Sequence, residues 1–167
     1  MRIGIGYDVH RFNGPARGRG SRSRPLKLGG VAIPCSRGLA GHSDADVLLH
    51  ALADALFGAV GAPDIGEQFP SSDARWRSAD SRLFVEAACA QVRQRGFRIG
   101  NIDATVIADA PKLVGHKARM ARAIGGLLGV DPSRVSVKAK TTEGFGPGRQ
   151  GIAVHAVVLL EPMRRAR

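Results

Sequence analysis

The stretch Arg2–His10, RIGIGYDVH, limits the possible folds more than any other part of the chain. Read as a β-strand, it alternates between two faces, with Ile3, Ile5 and Tyr7 on one side and Gly4, Gly6, Asp8 and His10 on the other. Two glycines on one face leave room for something to come close to the backbone. The acid and the imidazole project to that same side. A metal ion or a phosphate fits such a space, and so does a plain polar strand end.

The clearest helix is SDADVLLHALADALFGAVG, with Ser43 as its expected N-cap and Asp46 completing an acidic capping box. Val47, Leu48, Ala51, Leu52, Ala55 and Leu56 form its apolar stripe. The stretch FNGPARGRGSRSRP before it has loop composition, and LKLGGVAIP reads as a short strand broken by Gly-Gly. APDIGEQFPSSDARW reads as loop, and SADSRLFVEAACAQVRQRG as a second helix closed by Gly96. RIGNIDATVIAD is a strand, and APKLVGHKARMARAIGGLLGV a third helix starting near Pro111. RVSVKAKTT and GIAVHAVVLLEP are further strands. This order predicts an α+β fold: a four-stranded mixed sheet with helices packed on one face, plus a short hairpin-like extension near the N-terminus. The other sheet face then needs a partner, which an oligomer supplies. Val135 and Val157 are expected among the side chains wanting that burial.

The 167 residues suffice for one domain with a core, and no apolar run reaches the roughly 20 residues of a membrane span. The N-terminus begins with a strand pattern and not with a signal peptide. Cys35 and Cys89 have no metal-type spacing and read as free thiols of a cytoplasmic protein. The net charge of +11 suggests nucleic-acid binding until its location is considered. Seven basic residues fall in the acid-free interval between Asp8 and Asp44, most of them in a loop insert at 13–24, and three more in the tail 163–167. The remainder is nearly neutral, and only Phe12 lies near the loop as a stacking aromatic. A solvated basic loop is therefore the better reading than a nucleic-acid groove.

Asp46, His50 and Asp54 recur every four residues on one face of the first helix. His50 by itself reads as a core histidine with a carboxylate neighbour. Joined with Asp8 and His10 it completes one acid and two imidazoles with a fourth position open, the make-up of a catalytic zinc site. Asp46 or Asp54 is then expected to orient the other nitrogen of His50. GHSD, just before the helix, offers an anion the unpaired N–H groups of a helix N-terminus, with His42 and Ser43 as further donors. KAKTTEGFGPGRQG carries Thr141, Thr142, Glu143, Lys140 and Arg149 into a glycine-rich turn, either a polar hairpin or a phosphate cradle with an acid for a divalent cation. His116 and His155 read as structural, His155 as a core or interface histidine. No P-loop, dinucleotide fingerprint or serine nucleophile motif is present.

The blocks IGIGYDVHRF, GHSDADVLLHALADALFGA, DIGEQFP, ADSR, NIDATVIADAPKL and VKAKTTEGFG follow one another along nearly the whole chain. In this series the sequence resembles the 2-C-methyl-D-erythritol 2,4-cyclodiphosphate synthase family of the non-mevalonate isoprenoid pathway. The resemblance implies a homotrimer with active sites between subunits. It implies cyclisation of 4-diphosphocytidyl-2-C-methyl-D-erythritol 2-phosphate with release of CMP, a phosphorus–oxygen lyase reaction. By the same resemblance, Asp8, His10 and His50 match the zinc ligands. His42 and Ser43 match a mobile loop at the methylerythritol phosphate. Asp64, Ile65 and Gly66, then Phe69 to Asp73, match the methylerythritol stretch. Ala108 to Val114, with Ala110, Pro111, Lys112 and Leu113 among them, match the cytidine pocket. Thr141, Thr142 and Glu143 match the diphosphate and Mg²⁺ or Mn²⁺ segment, with Phe145 and Arg149 beyond. His42 and Thr141 are the expected catalytic donors. The 13–24 loop is longer and richer in arginine than the family's turn, and the segment after Glu143 is shorter, which loosens the placement of Arg149. A metal-dependent phosphohydrolase and a basic nucleic-acid-binding module remain as alternatives.

Overall fold

The computed structural model describes residues 1–14, 24–145 and 150–163. In chain order its elements are β1 (Arg2–Arg11), β2 (Leu26–Leu28), β3 (Val31–Ile33), α1 (Val47–Ala59), α2 (Ile65–Gln68), α3 (Arg82–Gln94), β4 (Phe97–Ile107), α4 (Lys117–Leu128), β5 (Val135–Lys140) and β6 (Gly151–Pro162). Most of the basic insert, Arg149 and the tail beyond Met163 lie outside the described residues.

Four strands form one sheet in the order β1-β6-β4-β5, antiparallel except for the parallel β4–β5 pair, so the sheet is mixed as expected. The segment LKLGGVAIP is not one strand. It folds back at Gly29–Gly30, both with φ near the left-handed region, into the two-stranded ladder β2–β3. This is the hairpin-like extension.

Strand pairing aligns residues into rows across the sheet. Gly6, Ala156, Ala104 and Val137 form one row of the inner face, and Asp8, Val154, Val106 and Ala139 the next. The small side chains at the β1 edge let α1 lie almost on the strand. A Cβ added to Gly6 would fall 1.9 Å from the Ala51 carbonyl oxygen, and one added to Gly4 1.9 Å from that of Ala55. The glycine face of β1 thus serves first to admit a helix.

Helix α1 departs from the expected amphipathic stripe: of its residues only Asp54 and Gly58 are not buried. It lies between the sheet and α3, with α2 and β2 also against it, so water reaches little of its surface. Its N-cap is Asp46, whose carboxylate accepts from Leu49 N–H, and not Ser43. The same carboxylate accepts from Gly29 and Gly30 N–H at 2.8 and 2.7 Å, which ties the β2–β3 turn to the start of α1. Helix α3 ends as read, with Gly96 at φ +78°. Helix α4 begins at Lys117 rather than near Pro111: Leu113 turns into the core and Gly115 follows it, so 108–116 folds as a loop. The stretch read as loop at 62–76 contains α2 and one 3₁₀ turn, Ala74–Trp76, each capped by an aspartate.

All helices sit on one face of the sheet. The opposite face is split in character. Ile3, Ile5, Tyr7, Val9 and Val157 form an exposed apolar strip on β1 and β6, whereas Asp103, Thr105, Ser136 and Lys138 make the β4–β5 half polar. Val135, expected among the exposed residues, is instead buried on the helix side. His155 is not in the core. It is exposed beside Tyr7, the ring centroids 4.8 Å apart. Both cysteines are free, and burial pushes the Cys89 thiol up to about 11, which makes it inert. Among the described residues no helix is long and apolar enough to cross a membrane.

Candidate metal centre and active site

Close packing of β1 against α1 creates the site. Asp8 and His10 follow the two glycines on the inner face of β1, and His50 stands one turn into α1. One carboxylate oxygen of Asp8 lies 2.9 Å from His10 Nε2 and 3.0 Å from His50 Nδ1, and the two ring nitrogens are 3.2 Å apart. A tetrahedral zinc with bonds near 2.0–2.1 Å spaces its ligand atoms about 3.3 Å apart. One oxygen and two imidazole nitrogens at these separations fit that ion, and the set leaves a coordination position for substrate or water.

The protonation pattern suits a metal as well. His10 Nδ1 lies 2.5 Å from the Ala40 carbonyl, which can only accept, so the ring carries its proton there and presents a lone pair at Nε2. Burial works to raise the Asp8 pKa, but hydrogen bonds and charge from the two histidines prevail and hold it well below the usual carboxylate range. Burial likewise works against charge on His10. The Asp8 carboxylate and the Ala40 carbonyl outweigh it, so His10 binds a proton more readily than free imidazole when no metal competes.

The far side of His50 differs from the expectation. Neither Asp46 nor Asp54 touches it: Asp46 serves the backbone of Gly29, Gly30 and Leu49, and Asp54 accepts from Ile65 N–H at 2.8 Å. His50 Nε2 instead meets Ser81 Oγ at 2.9 Å and Ser43 Oγ at 3.0 Å. Asp46 caps the helix from outside its first turn, and so cannot share the side-chain row that a spacing of four suggests.

A cavity of about 340 Å³ opens beside this candidate ligand set, lined by His42, Ser43, Ile65, Gly66, Phe69, Trp76 and Phe84 among others. Phe69, Trp76 and Phe84 form its aromatic wall, with ring centroids 4.8 to 6.1 Å apart. Asp64 caps α2 through Glu67 N–H, and Asp73 is paired with Arg75 at 2.6 Å, so both carboxylates already have partners. The Arg24 guanidinium donates to the Gly41 and Ser43 carbonyls, which ties the end of the basic insert to the loop carrying His42.

The remaining candidates gather elsewhere. Ala108, Pro111, Lys112, Leu113 and Thr141 line a second cavity of about 260 Å³, and Ala110, Lys112, Thr141 and Glu143 border a neighbouring, more open one. Asp109 shapes this region by accepting from Thr142 N–H at 2.8 Å and from its hydroxyl at 3.0 Å. Glu143 accepts from the Thr141 hydroxyl and sits at φ +51°. Phe145 is exposed, and Arg149 lies outside the described residues. Asp8 shares a sheet row with Ala139, just before Lys140 and Thr141, but across three strand spacings of about 4.8 Å. Both groups are therefore at one end of the sheet and at opposite edges.

Sequence reading missed Ser81, Asp44, Trp76 and Phe84, and held Asp109 only as part of the cytidine stretch, without its tie to Thr142. Asp44 and Ser81 are 37 residues apart and Asp109 and Thr142 are 33 apart, and no spacing rule connects either pair. Ser81 in particular looks like an ordinary helix cap.

Comparison with known proteins agrees with this arrangement. A 2-C-methyl-D-erythritol 2,4-cyclodiphosphate synthase of Thiobacillus denitrificans is 52% identical over 163 residues, covering 96% of this chain and 97% of that protein. The bifunctional IspDF from Campylobacter jejuni superposes with a TM-score of 0.90 at 42% identity over 99% of this chain, which spans only 43% of that longer protein. A CDP-bound structure of 2C-methyl-D-erythritol-2,4-cyclodiphosphate synthase matches with a TM-score of 0.84 at 38% identity, over 96% of this chain and all of that one. The YgbB family model matches residues 1–161, and the chain belongs to that family.

Proposed function

We infer that the chain converts 4-diphosphocytidyl-2-C-methyl-D-erythritol 2-phosphate to 2-C-methyl-D-erythritol 2,4-cyclodiphosphate and CMP. The observation that carries this reading is the Asp8–His10–His50 cluster beside an aromatic-walled cavity, in a chain half identical to a synthase of that name. One phosphorus–oxygen bond forms, between the 2-phosphate oxygen and the β-phosphorus, and the bond from that phosphorus to CMP breaks. The attacking oxygen is already anionic at neutral pH, so no general base is required. The barrier lies in bringing two anions together with attacking and leaving oxygens in line.

Asp8, His10 and His50 hold Zn²⁺ in this reading, and Glu143 holds Mg²⁺ or Mn²⁺. When bound, these cations supply the positive charge that offsets the phosphates. His42 and Ser43 face the methylerythritol phosphate, with Asp64, Ile65, Gly66, Phe69 and Asp73 around the sugar. Ala108 to Leu113 receive cytidine, and Thr141 donates to the diphosphate. The two groups of residues stand at opposite sheet edges within one chain, which supports a homotrimer whose sites combine the metal edge of one copy with the nucleotide edge of the next. The exposed Ile3–Ile5–Tyr7–Val9 strip supports the same assembly. We place the enzyme in the cytoplasm, where Cys35 and Cys89 stay reduced.

The test is to supply the cytidyl substrate to the zinc-loaded protein with Mg²⁺ or Mn²⁺ and identify the phosphorus products. Equal amounts of CMP and the cyclic diphosphate are expected. An open-chain, hydrolysed product would mean a phosphohydrolase, and no turnover would refute the assignment.

A further inference from the structure

Two serines in this chain stand just ahead of helices, Ser43 where the sequence predicts a cap, and neither hydroxyl caps a helix. Ser43 precedes α1, but Asp46 is the cap. Ser81 is the residue before α3, yet its side chain makes no hydrogen bond to that helix. Both hydroxyls converge on His50 Nε2, at 3.0 and 2.9 Å, and both serines are buried, Ser81 completely. Behind Ser81 stands Asp44, whose Oδ1 is 2.5 Å from Ser81 Oγ and 3.1 Å from Ser81 N. The other oxygen of Asp44 is paired with Lys27 Nζ at 3.0 Å.

Tracing the protons along this chain fixes the ring. His10 needs no help, because the Ala40 carbonyl can only accept. His50 has hydroxyls for neighbours, and a hydroxyl can donate or accept. Asp44 removes that freedom. A carboxylate is acceptor-only, so the single Ser81 proton points to Asp44. Ser81 Oγ then offers only lone pairs, one to His50 and one to Ser43, whose hydroxyl accepts from Ala45 N–H at 3.2 Å and has Ser81 Oγ at 3.3 Å to receive its own proton. Nε2 therefore carries a proton whether or not Nδ1, opposite the Asp8 carboxylate at 3.0 Å, holds one in the metal-free protein, so Nδ1 is the nitrogen whose lone pair is left for a metal.

We propose that Asp44, acting through Ser81, is the positioning device that locks His50 in the one tautomer able to bind the metal. The inference rests on the metal role proposed for Asp8, His10 and His50. It adds two residues that touch neither metal nor substrate. Partners of this kind behind a ligating histidine typically change metal affinity by tenfold to a hundredfold when removed. Asp44→Asn is the sharper change. An amide cannot present acceptors to both Ser81 and Lys27, so it either crowds the Lys27 ammonium with a donor or turns a donor to Ser81 and frees the hydroxyl proton to face His50.

The test compares zinc-loaded wild type, Ser81→Ala and Asp44→Asn in competition with a zinc chelator. It is joined by nitrogen-15 NMR of the histidine rings in the chelated wild type and Asp44→Asn proteins. Expected are losses of roughly tenfold to a hundredfold in zinc affinity for both variants, and a His50 ring that is protonated at Nε2 in wild type and mixed in Asp44→Asn. A purely structural role would lower melting temperature without moving the tautomer. Wild-type zinc affinity retained by both variants, or a wild-type His50 ring with no proton at Nε2, overturns the inference and leaves the proposed function standing. If Ser81→Ala does not fold, Asp44→Asn and the wild-type spectrum decide. A wild-type protein that takes up no zinc overturns the metal assignment itself and this inference with it.

Discussion

Asp8 owes its depressed pKa to His10 and His50, and His10 owes its raised one to Asp8 and the Ala40 carbonyl, and the signs predict how metal and pH are linked. The His10 pKa is raised, so in metal-free protein its contribution to stability is fully present below the ordinary imidazole value and is lost as pH rises through the raised one. The Asp8 pKa is depressed, so its contribution is present above the ordinary carboxylate value and disappears only in acid. Zinc needs His10 neutral and therefore competes with the His10 proton. The gain in melting temperature on adding zinc should thus grow from mildly acidic to mildly alkaline pH, as calorimetry on loaded and chelated protein would record. A gain that shrinks over that range would contradict the ligand assignment. Glu143 belongs to the same scale. It directly follows the rigid β5 edge and Thr141–Thr142, the latter held by Asp109. Glu143→Gln keeps its shape and removes its charge. We expect the maximal rate to fall roughly a hundredfold, about 3 kcal/mol, with weakened dependence on Mg²⁺ or Mn²⁺ in steady-state kinetics. Unchanged metal dependence would remove Glu143 from the cation site.

Among the elements, the β1–α1 contact matters most, because it joins the two halves of the ligand set. Asp8 and His10 ride on the strand and His50 on the helix, so any separation of the two opens the triangle of ligand atoms. Gly6→Ala inserts a methyl group into the Ala51 carbonyl, a backbone atom that cannot rotate away. Overpacking of this severity should cost about 3 kcal/mol, seen as a lower denaturation midpoint. Zinc affinity should fall in the same variant, although residue 6 touches no ligand. A Gly6→Ala protein with native stability and native zinc binding would show that the strand and helix are not in this close contact. Asp46 holds the other side of α1. Its buried carboxylate joins the helix N-terminus to the Gly29–Gly30 turn, which explains an acid at a position that looks from its spacing like part of a metal cluster.

For the whole molecule, the exposed strip on β1 and β6 and the division of candidate site residues between two sheet edges lead to one prediction. Ile3 and Ile5 are 71% and 69% exposed in the isolated chain, too much apolar surface in one strip to be left in water without consequence. Light scattering should give three times the 17.6 kDa chain mass. Ile5→Glu, directed away from the helices, should shift the population towards monomer and remove activity while zinc stays bound, because the metal ligands all come from one chain. A monomeric wild type with full activity would refute shared sites.

Much of this was legible in the sequence, for physical reasons that are local. The period-two alternation of RIGIGYDVH placed Asp8 and His10 on one face, and the family blocks joined them with His50 into one group, which the fold does bring together. The α+β class followed from the order of apolar patterns. Local signals failed wherever a side chain had a choice of partners. A serine before a helix reads locally as a cap, yet Ser43 and Ser81 face His50, because packing brings its Nε2 within 3.0 Å of both buried hydroxyls. Asp46 and Asp54 stand at ligand-like spacing from His50 and serve backbone amides instead. The stripe on α1 suggested one buried face, but the sheet, α3 and the β2–β3 hairpin enclose it from several sides. Sequence periodicity records which way a side chain points. Which of several hydrogen-bonding partners it meets is decided only when distant segments pack together.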